Sequence, residues 1–262
     1  MSPSAEPIAN TPAVLVRADN PGPMTLTGTN TWVVHHPQSA MAVVIDPGPD
    51  DDSHLTALRH ALTDRAVAVE VVLLTHGHAD HSGGAHRFAA AVGAELRAAD
   101  SVWGPRPLVA DEKFHAGGLN WHVVATPGHT SDSVSLRCDN VIFTGDTVLG
   151  AGTTVVAHPD GRLGDYLDSL ARLRLLAEQG VSTLLPGHGP VITSPAEALD
   201  HYLTHRRARL DAVAAVLAEN PGLTGEAAVN QVVRTVYADV PEHLWPAAAL
   251  SVRAQVEYLG GS

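Results

Sequence analysis

The apolar positions of this chain follow two regimes. From Pro12 to about Gly189, short runs of β-branched and aliphatic residues ("WVV", "AVVIDPG", "VEVVLLTH", "WHVVATPGH", "SVSLRC", "VIFTGD") read as strands. Ser53 to Asp64 and Gly164 to Glu178 instead carry apolar residues at helical spacing, with Leu163, Leu167, Leu170 and Leu173 falling on one face. The alternation predicts a layered α/β domain over residues 12–194. From Pro195 onward the strand signal stops. The pattern there predicts a helix over Ala196 to Leu217, a second N-capped by Thr224 and ending near Tyr237, and a third with Pro246 in its first turn and its end at Leu259. Residues 195–262 are therefore expected to be a small helical domain, and residues 1–11 a flexible N-terminus.

Nearly every apolar run ends in a tight polar turn: Asp46 before "PGP", Thr75-His76, "TPGHT", "TGD" and "LPGHGP". Loops at strand ends are where a rigid sheet presents reactive side chains, so this recurrence points to one shared site.

Composition narrows the classes. A chain of 262 residues with 45% apolar and 17% charged residues can bury a real core. The opening "MSPSAEPIANTPAV" lacks the basic end and apolar stretch of a signal peptide, and no segment approaches a membrane span, so a cytoplasmic protein is expected. The single cysteine, Cys138, rules out an internal disulfide. A net charge of −12 argues against broad binding to nucleic acid, which relies on a basic surface.

The chemistry concentrates in "LLTHGHADHSGGAH", Leu73 to His86. His76, His78, Asp80 and His81 fall within six residues directly after a strand. Two ring nitrogens at i, i+2 on a loop can converge on one cation, while the following Asp-His pair faces a second. Gly77 suits a sharp turn between the first two histidines, and Gly83-Gly84 lets a helix begin close by. Three further candidates sit in Gly-containing turns after apolar strands: His129, Asp146 and His188.

In that order these residues resemble the metallo-β-lactamase superfamily, over Gly28 to about Gly189. The resemblance implies a four-layer αββα sandwich carrying two divalent metal ions, zinc first, with iron or manganese also accommodated. His76, His78 and His129 would hold one ion, Asp80, His81 and His188 the other, and Asp146 would bridge them. Asp80 and Asp146 are the implied catalytic carboxylates, acting with a hydroxide shared by the metals. Asp46 would support the loop rather than ligate. Cysteine or serine generally stands at the Asp146 position in true β-lactamases, so glyoxalase II-like thioesterases and ribonucleases match better. "TPGHTSDSVSL", "FTGDTVLG" and "PDGRLGDYLDSLARL" resemble the lactamase-β-2-like branch, whose members append a winged-helix-like domain; Trp32 stands where relatives usually have Tyr.

The resulting expectation is a binuclear hydrolase of a thioester or related small-molecule ester or amide. Single-strand-specific endoribonuclease activity is the alternative; β-lactamase, persulfide dioxygenase and a non-catalytic metal-stabilised binding module rank lower. His158, Arg162 and Tyr166 are candidates for the rim. The basic run "HRRAR", His205 to Arg209, is a candidate phosphate contact, set against a solvated or ion-paired helix face. His54, His60, His86, His115, His122, His201 and His243 lack ligand context and are read as surface or packing residues.

Overall fold

The computed structural model describes residues 5–260. One sheet contains β1 (Glu6–Pro7), β2 (Ala13–Arg17), β3 (Asn30–Val34), β4 (Met41–Ile45), β5 (Ala68–Leu73) and β6 (Glu95–Arg97), paired in that order. Its first four strands are antiparallel neighbours, and β4, β5 and β6 run parallel. The second sheet holds β7 (Lys113–Ala116), β8 (Leu119–Ala125), β9 (Val134–Cys138), β10 (Val141–Gly145) and β11 (Thr183–Pro186) in the spatial order β11-β10-β9-β8-β7, antiparallel except for β10 and β11. Helices α1 (Asp52–Asp64), α2 (Ala79–Ser82) and α3 (Ala85–Val92) belong to the first half, and α4 (Leu163–Glu178) to the second. Helices α5 (Pro195–Glu219), α6 (Gly225–Val236) and α7 (Trp245–Gly260) follow, and no strand comes after β11 among the described residues.

Strand alternation explains the layering. In β8 and β9, Leu119, Trp121, Val123, Val134, Leu136 and Cys138 turn toward the first sheet, where Trp32, Val34, Val43, Ile45, Val71 and Leu73 meet them. The outer face of the first sheet, Val33, Val44 and Val72, is covered by Leu55, Leu58 and Leu62 of α1 and Phe88 of α3. On the second sheet, Val124, Ile142 and Leu184 lie under Tyr166, Leu170 and Leu173 of α4. The result is the expected αββα sandwich.

Two differences from the sequence expectation have physical causes. Within the segment expected to be flexible, Glu6 and Pro7 pair with Leu15 and Val14 as an edge strand, a position where proline costs no central ladder bond; residues 1–4 lie outside the described residues. The helical region is also more than an attachment. Leu199 and Tyr202 of α5 and Ala254 of α7 are buried against the second sheet and α4, while Val213 and Val216 further along α5 pack with Val229, Val232 and Val233 of α6 and Val252 of α7. One helix of 25 residues, about 37 Å long, thus serves both cores. No helix among the described residues is long and apolar enough to cross a membrane.

Candidate metal centre

The sheets deliver their polar turns to one edge of the sandwich. The β5 strand ends at Leu73, and the chain then turns through Thr75 and His76 into α2, whose four residues carry Asp80 and His81. His129 follows β8, Asp146 follows β10 and His188 follows β11. All seven predicted donors are brought together. His76, His78 and His129 form one group with ligand atoms within 4.8 Å of one another; Asp80, His81 and His188 form a second; His76, His81 and Asp146 form a third that overlaps both.

Hydrogen bonding fixes which nitrogen each ring can offer. His81 Nδ1 lies 3.0 Å from Asp46 Oδ2, His129 Nδ1 lies 2.8 Å from the Val155 carbonyl, and His188 Nδ1 lies 3.2 Å from the Gly28 carbonyl. Carboxylates and carbonyls only accept, so each Nδ1 carries a proton, and Nε2 is the nitrogen each of these rings turns into the cluster. The Thr75 hydroxyl donates to Asp46 Oδ2 at 2.7 Å, which leaves its oxygen to accept from His76 Nδ1 at 3.1 Å.

The inward-facing nitrogens converge. His76 Nε2 and His129 Nε2 lie 3.1 and 3.0 Å from His78 Nδ1, and His81 Nε2 lies 3.2 Å from His188 Nε2. Asp146 Oδ1, 3.3 Å from His81 Nε2, is buried with no hydrogen-bond partner; Asp146 Oδ2 is 3.4 Å from His188 Nε2 and 3.7 Å from His129 Nε2. Asp80 Oδ2 is 3.1 Å from His188 Nε2. Acceptors this close repel unless protons or cations intervene. Two nitrogens bound tetrahedrally to one zinc ion stand about 3.3 Å apart, so the spacing fits a metal as it stands. A Cβ at Gly187 would come within 2.5 Å of Asp146 Oδ1 and 2.6 Å of His81 Cε1, so only glycine leaves this cradle open. Gly77 is not required for handedness, since its φ is not positive; an added Cβ would stand 3.2 Å from Asp132 Oδ2, which would have to give slightly, and in ordinary contact, 3.5 Å, with Trp103 Nε1.

Charge follows the same logic. Burial alone would raise the Asp146 carboxyl, but His81 and His188 beside it hold it well below the usual carboxylate range. Burial works against a proton on His188, yet its hydrogen bonds to Asp146 and Asp80 push it up to about 9. His81 is likewise raised by Asp146 and Asp46 against the cost of burial. His76 is lowered, by burial first and by the neighbouring His81 second, and His129 is lowered chiefly by burial. Asp80 stays on the acidic side because His188 and His81 outweigh desolvation.

Asp46 stands where the sequence put it, beside the loop: it accepts from the Thr75 amide at 2.8 Å as well as from its hydroxyl. Other supporting residues were not apparent from sequence. His54, read as a surface or packing residue, is 1% exposed, with Nε2 2.9 Å from the Thr31 hydroxyl, which donates to the Asp46 carbonyl. Asn30 donates to the carbonyls of Pro186 and Gly189 and clamps the His188 turn. The polar run "TNT" at the head of an otherwise apolar strand was the available signal. Of the rim candidates, Tyr166 is fully buried, because its ring fills the core under α4 and its hydroxyl donates to the Thr147 carbonyl at 2.7 Å. Arg162 is exposed at the start of α4, and His158 is half-buried with Nδ1 2.6 Å from Glu257.

Residues 24–107 and 104–188 match the metallo-beta-lactamase superfamily. The chain belongs to that superfamily. Its fold and membership make it a metal-dependent hydrolase, and residues 228–259 match the beta-lactamase associated winged helix domain. This family member is 32% identical to a beta-lactamase-like protein 2 homolog of Drosophila melanogaster, over 92% of this chain and 85% of that one. It is 29% identical to the lactamase-like protein aptB of Emericella nidulans, over 90% and 77% of the two chains. Among solved structures, a metallo-beta-lactamase family protein from Thermus thermophilus superposes with a TM-score of 0.76 at 20% identity, over 95% of this chain and 93% of the other. ETHE1 from Myxococcus xanthus superposes with a TM-score of 0.61 at 23% identity, over 80% and 92%. These two likenesses show the fold alone.

Proposed function

We propose that this superfamily member is a binuclear hydrolase of thioesters or related small-molecule esters. The observation that carries the two-metal reading is Asp146, whose Oδ1 lies 3.3 Å from His81 of one donor group and whose Oδ2 lies 3.7 Å from His129 of the other, so that the carboxylate touches both. In this reading His76, His78 and His129 would hold one divalent ion, Asp80, His81 and His188 the other, and Asp146 would be shared between them; the imidazole-rich set suits zinc. When bound, such a pair would supply water activation near neutral pH and polarisation of the scissile carbonyl. The protein's own share is orientation. Asp46 fixes the His81 ring, the Val155 carbonyl fixes His129 and the Gly28 carbonyl fixes His188. Asp80, the more exposed of the two cluster carboxylates and held ionised, is placed to take a proton on its carboxylate.

Two features favour an acyl substrate over RNA. Trp103 stands beside Gly77, between the first two histidines, and stacks on His86 with ring centroids 5.4 Å apart. Val102 next to it is 71% exposed, so an apolar lip borders the site. The run His205 to Arg209 offers little to a phosphate backbone: Arg206 is buried, Arg209 pairs with Asp239, and Arg207 is the exposed arginine left.

The test is thiol release from acyl-glutathione and acyl-coenzyme A by zinc-loaded protein, beside cleavage of end-labelled single-stranded RNA, with Asp146→Ala as control. Thiol release confined to the intact protein supports the reading. RNA cuts confined to the intact protein, without thiol release, would replace it with the endoribonuclease alternative.

A further inference from the structure

Arg206 sits near the middle of α5, in the helical region, yet its side chain is buried in the α/β body. Its guanidinium donates to the Thr154 carbonyl and lies over the Tyr166 ring, 5.0 Å from the centroid. Its Nε is buried without a partner, and none of the described carboxylates forms an ion pair with it. Burying a cation this way is costly unless something offsets it. The position of its one carbonyl acceptor suggests what the arrangement secures.

Thr154 and Val155 are the link. The Thr154 hydroxyl donates to the backbone carbonyl of Asp146 at 2.7 Å. The next carbonyl, that of Val155, accepts from His129 Nδ1 at 2.8 Å. A single dipeptide is therefore held from below by Arg206 and in turn holds two of the seven donor residues. Neighbouring side chains reinforce the same segment. Tyr202, one turn earlier on α5, accepts from the Leu149 amide at 2.9 Å, and Tyr166 donates to the Thr147 carbonyl. The chain from 146 to 155 is thus tied at 147, 149 and 154, twice by side chains of α5.

We propose that Arg206 is a positioning residue for the metal centre. Through Thr154–Val155 it sets the ring orientation and tautomer of His129 and the place of Asp146, so the helical region is part of the metal-binding apparatus. The inference rests on His129 and Asp146 being ligands, and it is independent of the substrate class.

The experiment compares Arg206→Met, Arg206→Lys, Thr154→Val and the exposed control Arg207→Ala in the full chain. Zinc dissociation constants come from chelator competition, the d–d absorption of the cobalt-substituted protein reports ligand geometry, and circular dichroism confirms folding. Arg206→Met is expected to weaken zinc binding about 10- to 100-fold, the range typical of partners behind a ligand, and to shift the cobalt bands. Arg206→Lys should recover part of the loss, Thr154→Val should show a smaller one, and Arg207→Ala none. Folded Arg206→Met and Thr154→Val with wild-type affinity and spectrum would overturn the inference while leaving the ligand assignment intact. If Arg206→Met does not fold, Thr154→Val decides by the same two readouts. A wild-type chain that binds no metal would instead remove the ligand assignment, and this inference with it.

Discussion

Asp46 Oδ2 lies 3.0 Å from His81 Nδ1, and both residues are buried to within 1% of complete. The same carboxylate accepts the amide and hydroxyl of Thr75, so one side chain with a backbone φ of 51°, a region aspartate enters more readily than most residues, aligns the two ends of the His76–His81 loop. An amide at position 46 would offer a donor where three donors already point. Asp46→Asn is therefore expected to weaken zinc binding about 10- to 100-fold and to lower stability by about 1–3 kcal/mol. Chelator competition and denaturant melts measure the two effects; unchanged zinc affinity would free Asp46 of any role toward the metals.

Asp146→Ala removes the carboxylate that lies against members of both donor groups, His81 and His129. Turnover should be abolished and bound metal should fall below two ions per chain, while the circular dichroism spectrum is kept. Retained turnover in that variant would sink the bridged mechanism.

His54 gives the protein an acid-sensitive element outside the ligand set. Burial is the main cause that pushes its pKa down to about 4 from an ordinary 6.5. The unfolded chain then takes up a proton below pH 6.5 that the folded chain refuses, so the stability this group contributes is complete above 6.5 and is lost as pH falls toward 4. The loss over that window is about 3 kcal/mol. His54→Gln, which keeps a donor for Thr31, should flatten the dependence in denaturant melts between pH 6.5 and 4. An unchanged slope would mean that another group carries it.

Cys138 is fully buried, and burial pushes its thiol up to about 12. At pH 8 the folded protein should resist a thiol-disulfide reagent and react with one equivalent only in denaturant. Rapid labelling of the native protein would show that β9 opens readily.

The features legible in the sequence were those with a short period or a short reach. Strands that alternate, such as Val134–Cys138, and the turn that packs four donors into six residues could be read directly. β7 was missed because Lys113 and His115 on its outward face are exposed and make the strand look polar. β6 is only three residues long. The roles of His54 and Arg206 were hidden for a different reason. Each sits in a polar stretch of an amphipathic helix, where charge ordinarily marks solvent, and only the tertiary fold turns them onto Thr31 and Thr154.

The donor residues come from both sides of the sandwich: His76, His78, Asp80 and His81 from the first sheet, His129, Asp146 and His188 from the second. An ion gripped by both would act as a rivet across the seam between two leaves that meet mainly through their apolar faces and are joined at this edge by Asn30 and the His188 turn. Its hold and the alignment of the leaves then become one quantity. The edge-to-face contact of Trp32 with Phe143, ring centroids 6.0 Å apart, lies in that seam. A change of volume there would slide one leaf on the other and retune the grip from inside the core, without altering any group that touches the ion.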